Sequence, residues 1–86
     1  MAIKATPLFN PEDEAAAVVT NDAADIPGIP SNGCKLYIGV SGDVKVDMAT
    51  SGTAIVFKAV PVGPFRYMVR RVYATLTTAT NIVATW

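Results

Sequence analysis

The sequence predicts an all-β protein, a small antiparallel β-sandwich or barrel of about six strands with an extended N-terminal arm. Two observations favour this class. Apolar and polar residues alternate in short runs, as on strands with one buried face. Clusters of glycine, proline, asparagine and serine separate those runs at short intervals. We therefore predict an arm over residues 1–15 and a single β domain over residues 16–86.

The segment from Cys34 to Val46 is the one around which we expect the domain to be built. Apolar residues alternate with polar residues or glycine on both sides of the Ser41-Gly42 pair. Two such runs joined by two small turn residues are typical of a β-hairpin. The sequence therefore predicts that the strands on either side of Ser41 pair with each other.

The N-terminal residues are predicted to form an extended arm, because prolines bracket Leu8 and Phe9 and proline does not fit the centre of a paired strand. These two apolar side chains are expected to pack beneath their own domain or to insert into a neighbouring subunit. Asn10-Pro11 followed by three acids has the form of a helix start, so we expect at most a short helical turn. A strand over residues 16–21 should follow.

The second half of the chain contains three more predicted strands. The first covers residues 54–60, with Ile55, Phe57 and Ala59 on one face. The second covers residues 65–75, and its core face changes sides at Arg70-Arg71, where we expect a β-bulge or a bend.

The last predicted strand covers residues 82–86 and ends in Trp86. The large side chain of a tryptophan in this position suits a core plug or an interface anchor.

Composition favours association with other chains. Half of the residues are hydrophobic, and Cys34 is the single cysteine, so no intrachain disulfide is available. A chain of this length buries only about 60–65% of its unfolded surface. Cys34 is expected to be a small buried apolar group, which leaves oligomerisation as the way to bury more area.

Charge is unevenly distributed. Residues 1–33 carry one lysine and five acids, whereas residues 34–86 carry six cations and two acids. An acidic front and a basic body can pair within one subunit or between neighbours, or the charges can lie solvated on two unrelated surfaces. Pairing between neighbours would make association sensitive to salt.

The residue types disfavour catalysis. The chain has no histidine, so the commonest general base is missing, and so are cysteine–histidine zinc sites. Asp43 follows Gly42 and is expected to bind turn backbone. Asp22 and Asp25 lack the spacing of an EF-hand calcium loop. We predict a chain that is not an enzyme and has no catalytic, cofactor or metal residues.

Nucleic acid and membranes are not expected partners. Arg70-Arg71 lacks the aromatic interleaving or wider basic stripe of a nucleic-acid site. No apolar run approaches the roughly 20 residues of a membrane span, and the N-terminus lacks the order of a signal peptide.

Five segments together resemble the spike base protein family of gene transfer agents and related tailed phages. They are residues 25–27 (Asp-Ile-Pro), 34–39, 42–46, 60–63 and, above all, 71–86. Their order and spacing carry the resemblance, which extends from about residue 17 to residue 86.

The sequence departs from the family pattern at two places, and the arm lies outside the resemblance. Leu76 and Asn81 stand where glycine is expected in relatives. The role of residues 1–15 is therefore inferred from their own composition.

The resemblance implies a structural virion protein that forms a ring, expected to be a homopentamer, on the capsid. The ring would bind the major capsid protein and support a distal spike or fibre protein. The chain would be made in the host cytoplasm and would end on the capsid surface of the virion. The candidate subunit or capsid contacts are Leu8, Phe9, Glu12, Asp13, Glu14, Arg66, Arg70, Arg71 and Trp86.

Two other functions remain open at this point. One is a capsid cement or decoration protein that forms trimers. The other is a small module that binds host glycans, for which Tyr37, Tyr67 and Tyr73 are the available aromatic platforms.

Overall fold

The computed structural model describes residues 13–86, and within that range the chain forms six β-strands and no helix. The strands are β1 (Ala15–Ala17), β2 (Cys34–Val40), β3 (Gly42–Met48), β4 (Ile55–Val60), β5 (Gly63–Val72) and β6 (Thr80–Thr85). All pairings are antiparallel, in one sheet of order β1-β6-β2-β5-β3-β4. The predicted all-β class is confirmed. Among these residues no helix is present that could span a membrane.

The predicted hairpin between β2 and β3 is wrong. The two strands do not pair with each other, because β5 lies between them in the sheet. Only Ser41 separates them, and the backbone turns a corner there instead of reversing. Gly42 begins β3 at this corner, where a Cβ atom would lie only 2.6 Å from the backbone nitrogen of Ala79. A small residue is needed at this position because backbone from the β5–β6 connection passes so close.

Together β2 and β3 act as one long strand with a neighbour along each edge. On one edge, β4 pairs with the β3 half and residues 63–69 pair with the β2 half. On the other edge, residues 69–72 pair with the β3 half and β6 pairs with the β2 half. The connection over residues 73–79 runs beside β3, where the N–H of Tyr73 donates to the carbonyl of Lys45 at 2.8 Å.

Val69 is the residue at which the two ends of the long strand meet. It pairs with Cys34 on one side and with Met48 on the other, although these two residues lie at opposite ends of the long strand. The strand must curl to bring both ends to one residue, so the sheet is strongly curved. Two further contacts hold the junction: the Cys34 thiol donates to the Val69 carbonyl at 3.6 Å, and the Ala49 N–H donates to the Met68 carbonyl at 3.0 Å.

The core fills the inner face of the curled sheet. Side chains from β2, β3 and β5 form its centre. The alternation predicted for β2 and β3 is confirmed at Leu36, Ile38, Val44 and Val46, which are buried. It is wrong at the ends of these strands, since Val40 is 45% exposed and Asp47 is buried. Trp86 is partly buried and packs against this core.

The predicted change of face in β5 is confirmed. Val69 and Val72 are both buried although they differ in parity. Asp47 pairs with Arg71 whereas Met48 pairs with Val69, so Arg70 is the extra residue of a β-bulge.

The bounds of β1, β5 and β6 differ from the predictions, and β6 covers Thr80–Thr85 instead of residues 82–86. β1 is shorter and starts earlier than residues 16–21: over residues 18–21 the chain keeps only single backbone hydrogen bonds, from the Val18 and Asn21 N–H groups to the Ile82 and Val72 carbonyls. In β4, Ala59 has a φ of 52°, which breaks the alternation and puts Val60, not Ala59, in the core. β5 ends at Val72, before the predicted residue 75. Residues 1–12, which include most of the predicted arm and the start of the predicted helical turn, lie outside the described residues.

Two residues near the last connection have left-handed backbones. Leu76 has a φ of 67° and Asn81 has a φ of 53°. This conformation costs a residue with a Cβ roughly 1–2 kcal/mol and costs glycine nothing comparable.

We predict that Gly33→Ala destabilises the domain more than Gly28→Ala does. Both glycines have similar backbones, with φ values of 87° and 81°. Placing an alanine in this left-handed backbone therefore costs about 1 kcal/mol in each variant alike. A Cβ on Gly33 would also lie 2.7 Å from the Val69 carbonyl oxygen and from the Ala49 Cβ, whereas a Cβ on Gly28 meets nothing within 4 Å.

The difference in the free energy of unfolding between the two variants should be about 1–3 kcal/mol in urea titrations. Equal losses in the two variants would contradict the close approach at the Val69 junction.

Candidate functional site

The paired arginines of β5 bind carboxylates of the same chain. Both reach Oδ1 of Asp25, with Arg71 Nε at 3.0 Å and Arg70 Nη1 at 3.3 Å. Both also lie 3.7 Å from Oδ2 of Asp47. Asp25 belongs to the acidic front and the arginines to the basic body, so this part of the charge asymmetry is neutralised within one subunit.

Asp47 is the buried polar centre of this cluster, with its side chain 2% exposed. Its Oδ1 accepts hydrogen bonds from the Ala54 N–H and the Tyr73 hydroxyl, each at 2.8 Å. Burial acts to raise the pKa of Asp47, but these hydrogen bonds and the charges of Arg70 and Arg71 outweigh it. The pKa of Asp47 therefore lies below its ordinary value, and the carboxylate stays ionised in the folded protein.

Tyr73 contacts the same cluster through its hydroxyl, which donates a hydrogen bond to Asp47. Its hydrogen bond to Asp47, together with burial, raises its pKa above the ordinary value. The Lys45 ammonium lies 4.7 Å from the centre of its ring, and the Arg71 guanidinium lies 5.7 Å from it. These contacts engage the ring within the domain, so Tyr73 does not offer the open aromatic platform considered from the sequence.

Two other aspartates hold loops and strands together. Asp22 accepts hydrogen bonds from the N–H groups of Ala74 and Thr75 and from the Thr75 hydroxyl, at 2.7–3.0 Å. Asp43 accepts from the Ala59 N–H at 2.9 Å, so it binds backbone of β4 and not of a turn. Hydrogen bonds, those from Thr75 and Ala59 first, lower the pKa of both carboxyls. Within residues 13–86, no three acids, cysteines or histidines are grouped as metal ligands would be.

Cys34 has the role predicted for it. The side chain is fully buried at the Val69 junction, and burial raises the pKa of its thiol to about 11. A thiol with such a pKa is protonated near neutral pH and is a poor nucleophile.

A cluster of three aromatic rings lies between β4 and the first half of β5. Phe57 and Tyr67 stack with ring centres 5.3 Å apart, and Phe65 packs edge-on against Phe57 at 4.9 Å. β4 follows the β3 half of the long strand and β5 begins along the β2 half, so the two strands diverge at residues 61–62. The rings fill the angle between them.

These rings form the floor of an open depression of about 360 Å³, which we call the aromatic groove. Pro61 and Pro64 form its wall, and Tyr67 is 55% exposed. Two cations border it: Arg66 is exposed, and the Lys58 side chain is 78% exposed beside Asp43 at 3.4 Å. The lining of the groove is thus mostly apolar and includes two cations, of which Lys58 pairs with Asp43 and Arg66 is exposed.

The predicted contact residues fall into separate groups. Leu8, Phe9 and Glu12 lie outside the described residues. Asp13 and Glu14 are exposed, and their N–H groups donate to the Trp86 carbonyl at 2.9 and 2.8 Å. Trp86 packs on its own core, whereas Arg66 borders the groove.

Sequence reasoning missed the aromatic groove. Its three rings come from two strands, and only the corner at residues 61–62 brings them together. The one available signal was the density of aromatic residues on either side of the Pro61–Pro64 turn.

No protein-family model and no curated protein matches this chain.

We predict that Asp47→Asn lowers the free energy of unfolding near pH 7 by about 1–3 kcal/mol, because a buried ionised acceptor between two arginines is lost. Since the pKa of Asp47 is lower in the folded state than in the unfolded state, its contribution is present above about pH 4. The contribution disappears as the pH falls through the folded-state pKa.

The variant should therefore show a smaller loss of stability than the parent protein when acidified, measured as melting temperature against pH. The pKa values of Asp22 and Asp43 are also lowered in the folded protein, so the variant will still lose some stability on acidification. Asp25→Asn is the matched control: its carboxylate is 45% exposed, so the loss should be below about 1 kcal/mol. Identical acid profiles for Asp47→Asn and the parent would refute this account of Asp47.

Proposed function

We propose that this chain is a non-enzymatic structural subunit of a tailed phage or gene transfer agent. It assembles into a ring, a homopentamer, on the capsid surface, where it binds the major capsid protein and anchors a distal spike or fibre. The proposal starts from the segments that resemble the spike base protein family, the longest of which is residues 71–86.

The observation that carries this proposal is the backbone at Leu76 and Asn81. The resemblance implies glycine at these positions, where this sequence departs from it, and both residues adopt the left-handed backbone that glycine adopts at least cost, with φ values of 67° and 53°. Glycine is the residue that occupies left-handed backbone most readily, so the glycines implied by the resemblance agree with the backbone at both positions. The coincidence supports the resemblance over its longest segment.

The surface of the domain also favours association. The sheet ends in β1 on one side and β4 on the other, so each has an edge with no strand beside it among the described residues. Apolar side chains on β4, on β5 and at the corner between them are exposed by 40% or more: Ile55, Val62 and Tyr67. A subunit with two different ends can associate head to tail, which is how closed rings are built.

A second candidate is a small glycan-binding module. The stacked rings of Phe57 and Tyr67 favour it, because an exposed aromatic face beside polar groups suits a sugar ring. The arginine pair does not add a second sugar-binding surface. Its partners Asp25 and Asp47, and Tyr73 beside them, are already hydrogen-bonded within the chain.

We predict that native mass spectrometry of the full-length chain at low salt gives a pentamer. A trimer would favour the cement-protein alternative. A monomer at high concentration that binds sugars on a glycan array would favour the glycan-binding module and would contradict the ring.

A partial loss of the ring at moderate salt is expected, because acids of the arm and cations of the body contribute to association between subunits. The Arg70–Asp25 and Arg71–Asp25 pairs form within one subunit and are not the source of this effect.

A further inference from the structure

The lining of the aromatic groove suits an apolar segment that carries acids nearby. Its floor is three aromatic rings and its wall two prolines, while Lys58 and Arg66 stand at the margin. An occupant must therefore bring apolar side chains for the centre and negative charge for the edge.

One segment of this sequence has that composition. Leu8 and Phe9 are adjacent large apolar residues, and the prolines on either side disfavour regular strand pairing. Acids follow within three to five residues of Phe9, at Glu12, Asp13 and Glu14. The order of apolar and acidic residues matches the centre and margin of the groove.

We propose that Leu8 and Phe9 of one subunit bind in the aromatic groove of its neighbour, with Glu12 beside Arg66. This inference rests on the proposed ring, since it takes the association of copies as given. It adds the surface that receives the arm and the chemistry that recognises it.

The order of the strands favours a neighbour as the donor. The arm enters the sheet at β1, and the groove lies between β4 and β5 at the other end. Within one subunit the arm would have to cross β6 and β2 to reach β5, a distance of about 14 Å at ordinary strand spacing. In a head-to-tail ring the β1 end of one subunit faces the β4–β5 end of the next, so arm and groove are adjacent.

The length of the arm is sufficient for this contact. From Phe9 to Asp13, where the described chain begins beside Trp86, an extended segment spans about 14 Å. To reach the groove of its own subunit, the segment would need this whole length, fully extended straight across the curved sheet, whereas a subunit packed against the β1 edge would bring its groove within a shorter path.

The test uses two full-length variants with complementary defects. In the groove variant, Tyr67→Ser and Arg66→Glu remove the stacked ring and reverse the charge at the margin. In the arm variant, Leu8→Ser and Phe9→Ser remove the apolar pair. Each variant alone should lose the ring, because every subunit of a ring must both donate an arm and receive one.

Mixed in equal amounts, the two variants should form a one-to-one pair in native mass spectrometry. The groove variant keeps an intact arm, and the arm variant keeps an intact groove, so one contact per pair remains. Leu76→Ser is the matched control: Leu76 is 61% exposed, compared with 55% for Tyr67, and lies outside the groove. This control should keep the mass of the parent assembly.

Charge reversal provides a second test that does not depend on the aromatic rings. Arg66→Glu alone changes an exposed side chain and should fold, which circular dichroism will check. It should raise the dissociation constant of the ring by about tenfold, and adding Glu12→Arg in the same chain should restore most of the loss.

Two results would overturn the inference. If the groove or arm variant assembles as the parent does, the arm does not bind the groove, although the ring itself stands. If both variants lose the ring and the mixture contains no pair, the arm is not exchanged between subunits. A parent chain that is monomeric would refute the ring and this contact together.

Discussion

The rest of the domain depends on the double pairing of Val69. One residue of β5 receives both ends of the long strand formed by β2 and β3, so that strand has to curl and the sheet has to curve with it. The corner at Ser41 and the bulge at Arg70 both follow from this curvature, since a flat ladder could not satisfy both pairings. With a single cysteine, fully buried at this junction, the domain depends on strand pairing and packing and has no disulfide to hold it.

Charge in this protein has two different uses. Asp25 and Asp47 form ion pairs with the two arginines at the bulge. Asp22 and Asp43 accept hydrogen bonds from backbone N–H groups, those of Ala74 and Ala59 among them. These contacts lie within the domain and stabilise its curved strands. The acids of the arm and the cations beside the aromatic groove are the charges through which we propose that subunits recognise each other.

The sequence predicted the strands better than their pairing. Alternation identified the buried faces at Leu36 and Val44, and the parity change between Val69 and Val72 identified the bulge, because both signals depend on residues that are close in sequence. The hairpin at Ser41 was wrong because a serine-glycine pair suits either a reversal or a corner. The choice between them depends on β5, which follows more than 20 residues later.

The candidate site was less predictable for the same reason. Arg70 and Arg71 were identified as the main polar feature, but their partners Asp25 and Asp47 lie far away in sequence, on a loop and on β3. The aromatic groove forms only where β4 and β5 diverge, so no local pattern could place Phe57 beside Tyr67.

The most direct measurement is a cross-linking experiment on the full-length chain with Phe9→p-benzoylphenylalanine. Equal amounts of ¹⁵N-labelled and unlabelled chain would be mixed before irradiation, and the cross-linked peptides identified by mass spectrometry. We predict cross-links to the segment that contains Phe57 or Tyr67, with labelled and unlabelled peptides joined to each other. Cross-links that join only peptides of the same isotopic composition, or that fall elsewhere on the domain, would contradict the account.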